Sequence, residues 1–250
     1  MGLELEDIVA GLKELGLAQR DLVEVHTSLS RLGWVDGGAE TVIAALIEVV
    51  GEDGTIVMSA YNVSPAIPVT DEEQARGIGW KVRILDPGSD EPTGMGVVSD
   101  TFRRRPDVIC GTGIHRTCAW GRDAKQHTEG YENLVEADGW VLLVGVDIYR
   151  CSSLHVAERV PIPEEIARRF EVPEEILRDY PEDQWAVGYG GVPGDPWGTA
   201  WRVAQERGLV RTTTVGQATC HLFKAKEMVR IYEALRRADP YGLFGLQEGA

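Results

Sequence analysis

Basic residues are in short supply in this 250-residue chain: 25 Lys and Arg stand against 40 Asp and Glu, a formal net charge of −15. A surface of that sign repels phosphate polyanions, which argues against a nucleic-acid partner and favours small cationic ones. Long hydrophobic runs are missing too. No stretch approaches the roughly twenty apolar residues that span a bilayer. The acidic start Met1-Gly2-Leu3-Glu4-Leu5-Glu6-Asp7 has neither the basic nor the apolar region of a signal peptide, so no membrane partner and a cytoplasmic location are expected. The four cysteines, at 110, 118, 151 and 220, form no Cys-x-x-Cys pair. Neither a zinc ribbon nor a disulfide framework is suggested, and reduced thiols are expected. A Gly-x-x-x-x-Gly-Lys loop is absent, as is Gly-x-Gly-x-x-Gly after a strand, which counts against nucleoside-triphosphate and dinucleotide binding.

What is present alternates between helical and strand periods. Leu5, Ile8, Val9, Leu12 and Leu15 recur at helical spacing before Gly16, which predicts an amphipathic helix over 4–15. Leu22 to His26 alternates apolar with polar residues, a strand pattern. Gly37-Gly38 precedes a helical run through Val50, closed by Gly51, and Thr55 to Ser59 returns to strand. Strand, helix, strand within about 40 residues is a βαβ unit, so the fold class is α/β. Residues 62–93 carry Pro65, Pro68, Pro87 and Pro92 with little periodicity and read as a long loop. Helices are expected over Met95 to Arg105 and Lys224 to Arg237. The proline-bearing region from 161, with its Gly188 to Gly191 cluster, reads as an irregular subdomain.

The segment from Gly139 to Glu158 carries the strongest chemical signal. Trp140 to Val146 is apolar but for Gly145, as in a strand covered on both faces, and a polar cluster follows. With Ser152 or Ser153 as an N-cap, a following helix places His155 and Glu158 at i and i+3 on one face. A carboxylate beside an imidazole fixes its tautomer and supports the imidazolium formed when the ring takes a proton. The same spacing also arises in ordinary surface pairs. After the first strand, the hydroxyls of Thr27, Ser28 and Ser30 and their backbone N–H groups suit an amide or a phosphate, and they equally suit plain turn chemistry.

Several blocks together resemble one family. Val25 through Gly33, Gly37 through Val42, Gly51 through Thr55 and Ala60-Tyr61 are similar to the amino-terminal block of the aminoglycoside 3-N-acetyltransferases. Asp86-Pro87, Thr93 through Gly96, Phe102 through Pro106 and His115 through Gly121 resemble its middle block. Ser152 through Glu158 is similar to its catalytic segment, and Val215 through Phe223 to its carboxyl-terminal block. The chain departs from the family at Cys151 and Ser152, where Asn and Thr are usual, and at Arg116, where Pro is.

The resemblance implies a single α/β domain over 1–250, with a central mainly parallel or mixed sheet flanked by helices and a small irregular subdomain at roughly 161–211. It implies acetyl-coenzyme A as co-substrate and a cationic aminoglycoside as acceptor, acetylated at the 3-amino group of 2-deoxystreptamine, with antibiotic resistance as the consequence; no metal is expected, because His155 has no second histidine one turn away. Carried over residue by residue, it makes His155, Glu158 and Ser152 catalytic and puts His26, Thr27, Ser28, Leu29, Ser30, Gly33, His115 and Thr117 around the coenzyme. Tyr61, Asp100 and Trp120 then lie near the acceptor.

Other readings stand beside it. Cys151 and His155, at i and i+4 of a helix, have the spacing of a thiolate nucleophile and its base, against which Cys151 is a packing residue. Arg103, Arg104 and Arg105 suit coenzyme phosphates or simply a helix carboxyl terminus. The acceptor can be a different small amine, and the fold can serve a non-catalytic small-molecule binder. Oligomeric state is open, a homo-oligomer included.

Overall fold

The computed structural model describes residues 2–249. The chain opens with α1 (Leu5–Leu15), whose Ile8, Val9, Leu12 and Leu15 are buried and whose end is fixed by Gly16 in the left-handed region. It then runs through β1 (Leu22–Thr27), a 3₁₀ turn over Leu29–Leu32, α2 (Ala39–Val50) and β2 (Thr55–Ser59). β1 and β2 pair in parallel, the βαβ unit expected from the sequence. Next come α3 (Asp71–Ala75), β3 (Ile78–Arg83), α4 (Val97–Arg103), β4 (Ile109–Cys110), β5 (Thr117–Gly121), α5 (Glu132–Glu136) and β6 (Trp140–Val144). After two 3₁₀ segments, Ile148–Arg150 and Ser152–Arg159, the chain forms α6 (Glu164–Ala167), α7 (Glu174–Asp179), β7 (Trp185–Tyr189) and α8 (Pro196–Glu206). It closes with β8 (Arg211–Val215), β9 (Ala218–Lys224), α9 (Ala225–Ala238) and α10 (Pro240–Leu243).

Seven strands form one sheet in the order β4-β5-β2-β1-β6-β9-β8. Its centre, β2-β1-β6, is parallel, and the strands outside it are antiparallel. Both faces are covered. Val23 and Val25 of β1 pack with Leu12, Leu46 and Phe102 on one side, while Val141 and Leu143 of β6 pack with Leu154, Met228 and Tyr232 on the other. Burying each such side chain contributes about 1.5–3 kcal/mol, and burial on two faces explains why Trp140 to Val144 shows no alternation. Among the described residues no helix is long and apolar enough to cross a membrane.

Four expectations are corrected. Residues 62–93 are not one long loop: they hold α3 and β3, and β3 pairs antiparallel with β7 to make a second, two-stranded sheet. The region from 161 is less irregular than its prolines suggest, since it supplies β7 and α8. The segment after β6 is 3₁₀ rather than α-helical. Cys110 and Cys118 are joined by a disulfide. They lie directly across from each other on β4 and β5, a cross-strand proximity that a search for Cys-x-x-Cys cannot reveal. Cys151 and Cys220 are free and buried.

The two-stranded sheet is tied down by a polar cluster. Glu73 of α3 is buried and accepts from Lys81 of β3 and from Tyr180 just ahead of β7. Lys81 first, then the Thr70 N–H and Tyr180, hold the Glu73 carboxyl down at about 2. A depressed carboxyl contributes stability that is complete above its ordinary value of 4.5 and is lost as pH falls towards 2. Amide exchange in β3 and β7, corrected for intrinsic rates, should therefore accelerate as pH drops below 4.5. Glu73→Gln should exchange faster at neutral pH and lack the acid step; protection that ignores both would show that this cluster does not hold the small sheet.

Candidate active site

The carboxyl ends of β1 and β6 lie side by side, with His26 opposite Leu143 and Thr27 opposite Val144. The loops leaving them therefore open onto the same edge of the sheet, where α/β folds bind their ligands. A cavity of about 950 Å³ lies there. Thr27, Ser28, Leu29, Ser30 and Gly33 form one wall, and His26, Tyr61, Ser152 and His155 come in from β1 and the loops after β2 and β6. Gly145 turns the chain out of β6 with φ of +65°; a Cβ there would stand 2.5 Å from the Arg31 side chain, so only glycine fits both backbone and space.

His155 and Glu158 meet as their spacing suggests. His155 Nδ1 lies 3.1 Å from Glu158 Oε1, and both side chains are about half exposed, at 56% and 47%. The edge of Trp197 packs against the His155 ring, with centroids 5.0 Å apart. The carboxylate beside Nδ1 favours the proton on that nitrogen and leaves Nε2 as the basic one. Ser152 is linked to the interior: its Oγ is 3.1 Å from Ser59 Oγ, which is 2.7 Å from Tyr131 Oη. Burial pushes the phenols of Tyr61 and Tyr131 up, and the Glu24 charge adds to it.

Other positions carried over by resemblance lie elsewhere. Asp100 is only 5% exposed and is turned away from the cavity. It accepts from the Thr93 N–H at 2.8 Å and from Arg103 Nε at 2.7 Å, so it braces the start of α4. Thr117 is fully buried and donates to the His127 carbonyl. Trp120 packs against the core on the α2 side of the sheet and donates to Asp107. His115 is outside the cavity wall, edge-on to Tyr61 with centroids 5.1 Å apart. Arg103 is held by Asp100, Arg104 by the Asp90 carbonyl, and Arg105 by Asp107 and Glu40, which occupies the guanidinium groups offered to phosphate. Among the described residues none of the acid-rich loops reaches the cavity, whose lining holds no Asp or Glu.

Cys151 does not share a face with His155. Its thiol is completely buried among residues such as Leu154 and Phe223, 3.4 Å from Ser153 Oγ. Burial first, then the Glu24 charge, pushes that thiol well above its ordinary value, the opposite of what a thiolate nucleophile needs.

Glu24 is the residue that sequence reasoning missed. In Leu-Val-Glu-Val-His-Thr it looks like the solvent side of an alternating strand, yet it is 0% exposed and 2.5 Å from His26 Nε2. The available signal was the cover on both faces of β1, which leaves no solvent side. Gly94 through Val97, Trp34 and Tyr149 also line the cavity and carried no motif.

A parallel-centred sheet that brings an imidazole–carboxylate pair and a hydroxyl-rich loop to one cavity presents groups that acyl transfer can use. A family model described as aminoglycoside 3-N-acetyltransferase matches residues 25–236, and the chain belongs to that family. It is 30% identical over 249 residues to the SPbeta prophage-derived aminoglycoside N(3')-acetyltransferase-like protein YokD of Bacillus subtilis (strain 168), covering 91% of this chain and 90% of that one. It is also 30% identical over 250 residues to aminoglycoside N(3)-acetyltransferase VII of Streptomyces paromomycinus, covering 87% and 86%. Among solved structures, a histidine-to-alanine mutant of aminoglycoside acetyltransferase AAC(3)-IVa in complex with a gentamicin superposes with a TM-score of 0.73 at 21% identity, over 97% of this chain and 92% of that one. The binary complex of AAC-IIIb with CoASH gives 0.68 at 22% identity, over 94% and 96%.

With its thiol buried and protonated, Cys151→Ala should keep wild-type activity, and mixing with an acyl thioester alone should leave no acyl group on the protein by intact mass; an adduct lost in the variant would restore the cysteine. Asp100→Asn should cost stability, about 3 kcal/mol for a broken buried ion pair, in urea unfolding and leave Michaelis constants unchanged. A raised acceptor constant at unchanged stability would put Asp100 back at the site.

Proposed function

We propose that this protein transfers the acetyl group of acetyl-coenzyme A directly to an amino group of an aminoglycoside, at the 3-position of 2-deoxystreptamine, and so confers resistance. The observation that carries this reading is the His155–Glu158 pair at 3.1 Å, beside a cavity of about 950 Å³, in a chain of this family. Acetyl-coenzyme A is the co-substrate of that family, and solved neighbours of this fold hold coenzyme A in one case and a gentamicin in another, which supports the choice of both partners.

In the proposed reaction Glu158 holds His155 Nδ1–H, and Nε2 takes a proton from the acceptor amine as its nitrogen adds to the thioester carbon. The hydroxyl-rich loop after β1 holds the donor. Ser152 Oγ, already ordered by Ser59, offers a hydrogen bond to the oxyanion that forms. The oxyanion then collapses, the C–S bond breaks and coenzyme A leaves as its thiolate, with no residue acylated. Acetylation turns an ammonium into a neutral amide and removes a charge used to bind RNA phosphates. The absence of acidic residues in the described lining leaves the ring hydroxyls and aromatic faces, rather than paired carboxylates, to receive the acceptor.

His155→Ala should lower turnover by at least about a hundredfold, the scale of a lost general base, with the Michaelis constant for acetyl-coenzyme A nearly unchanged. Release of coenzyme A thiol with a panel of aminoglycosides and simpler amines is the assay. Wild-type turnover in the variant would remove His155 from the mechanism, and thiol release with simple amines alone would move the acceptor to another class.

A further inference from the structure

Two histidines line this cavity, each with a carboxylate beside it, and the reaction above uses one of these pairs. Glu24 and His26 are two residues apart on β1, so the strand's period of two puts both side chains on one face. Glu24 Oε1 lies 2.5 Å from His26 Nε2 and accepts from the Ser153 N–H at 3.1 Å. Its Oε2 is buried with no partner among the described residues. The Ser152 N–H also points at His26 Nε2, at 3.4 Å, too long to compete with the charge-assisted contact, which makes Nε2 the protonated nitrogen. His26 Nδ1 has no hydrogen-bond partner among the described residues, is not a buried atom, and belongs to a ring that lines the cavity.

The other ionisable neighbours are poorly suited to exchanging protons. Tyr61 comes from the loop after β2, Tyr131 from the start of α5 and Cys151 from the turn after β6. All three are pushed up by burial and the Glu24 charge and keep their protons at neutral pH. Tyr149, whose phenol donates to Asp195 and is pushed up by that bond, completes the charged and titratable lining together with Arg150 and His155. That leaves two imidazoles as the proton carriers of this cavity.

Acyl transfer needs two proton movements at two places. The nitrogen loses a proton, and the departing sulfur, a thiolate of an ordinary thiol with a pKa of about 8.5, must gain one at neutral pH. We propose that His26 is a second catalytic residue, protonating the leaving sulfur through Nδ1–H, and that Glu24 is its positioning residue, holding Nε2–H and supporting the imidazolium. The C–N bond forms, the C–S bond breaks, and its electron pair goes to sulfur, which takes the His26 proton. The proton lost by nitrogen rests on His155, and its return to His26 through solvent resets the site. This assignment depends on the acetyl-transfer reading of the cavity.

The test compares pH–rate profiles for acetyl-coenzyme A and for the aryl thioester S-acetyl-4-nitrothiophenol, whose thiol is acidic enough to leave unprotonated. His26→Gln and Glu24→Gln are checked by thermal melting. With acetyl-coenzyme A, His26→Gln should lose about a hundredfold in turnover and the alkaline limb of the profile. With the aryl thioester it should stay within about threefold of wild type, because no acid is needed. Glu24→Gln should show the same donor dependence, more weakly, at an unchanged Michaelis constant for acetyl-coenzyme A. His155→Ala should fail with both donors. Equal losses with both donors, or none, would overturn the assignment. If the variants do not fold, the wild-type enzyme decides: its alkaline limb should be present with acetyl-coenzyme A and absent with the aryl thioester, and a limb common to both would refute a proton donor at sulfur. Wild-type enzyme that acetylates no amine would instead overturn the acetyl-transfer reading, and this inference with it.

Discussion

The parallel pairing of β1 with β6 is the constraint on which the site depends. It sets Val23 opposite Trp140 and Thr27 opposite Val144, so both strands end at the same height and release their loops at the same edge. Because the side-chain period is two, a slip of one residue would turn Glu24 and His26 into the helix layer formed by α1 and α2 and bring Val23 and Val25 to the catalytic side. That exchange would bury an imidazole and a carboxylate among Leu12, Leu46 and Phe102, at a cost that holds the register in place. The contacts between the Ser152–Ser153 backbone and the Glu24–His26 pair depend on this pairing.

Polar groups are further divided by depth. Glu24, Tyr131 and Cys151 lie beneath the cavity floor, where burial keeps the phenol and the thiol protonated. His155 and Glu158 lie at its mouth, where solvent is available to carry protons away. Depth therefore separates groups that keep their protons from a pair that solvent reaches. The Cys110–Cys118 disulfide and the Asp100–Arg103 pair belong to the supporting structure on the β4–β5 side.

Much of the frame was legible in the sequence, because α1, α2 and β1 carry a clear period, β2 and β6 are short apolar runs, and α1, α2, β2 and β6 each have a glycine near at least one end. The His155–Glu158 pair was legible for a local reason: three residues bring the two side chains together in α and 3₁₀ geometry alike, so the change of helix type did little harm. What could not be read is what depends on distant pairing. β3 finds β7 across about a hundred residues, and Cys110 finds Cys118 because two strands lie flush. Glu24 was hidden by its own pattern: alternation reads the same whether the polar face meets water or a second layer of helices. Asp100, Thr117 and Trp120 show the reverse error, in which a block that resembles the family also carries residues for bracing and packing.

The edge formed by β1 and β6 is held here to receive both substrates, and amide hydrogen exchange with and without coenzyme A tests that most directly. Exchange should slow in the loop from Thr27 to Gly33 and in the segment from Val146 to His155, with little change in the groove at the other end of the sheet around Arg20, Asp53 and Arg122. Protection confined to that far groove, or none in either loop at saturating coenzyme, would contradict it.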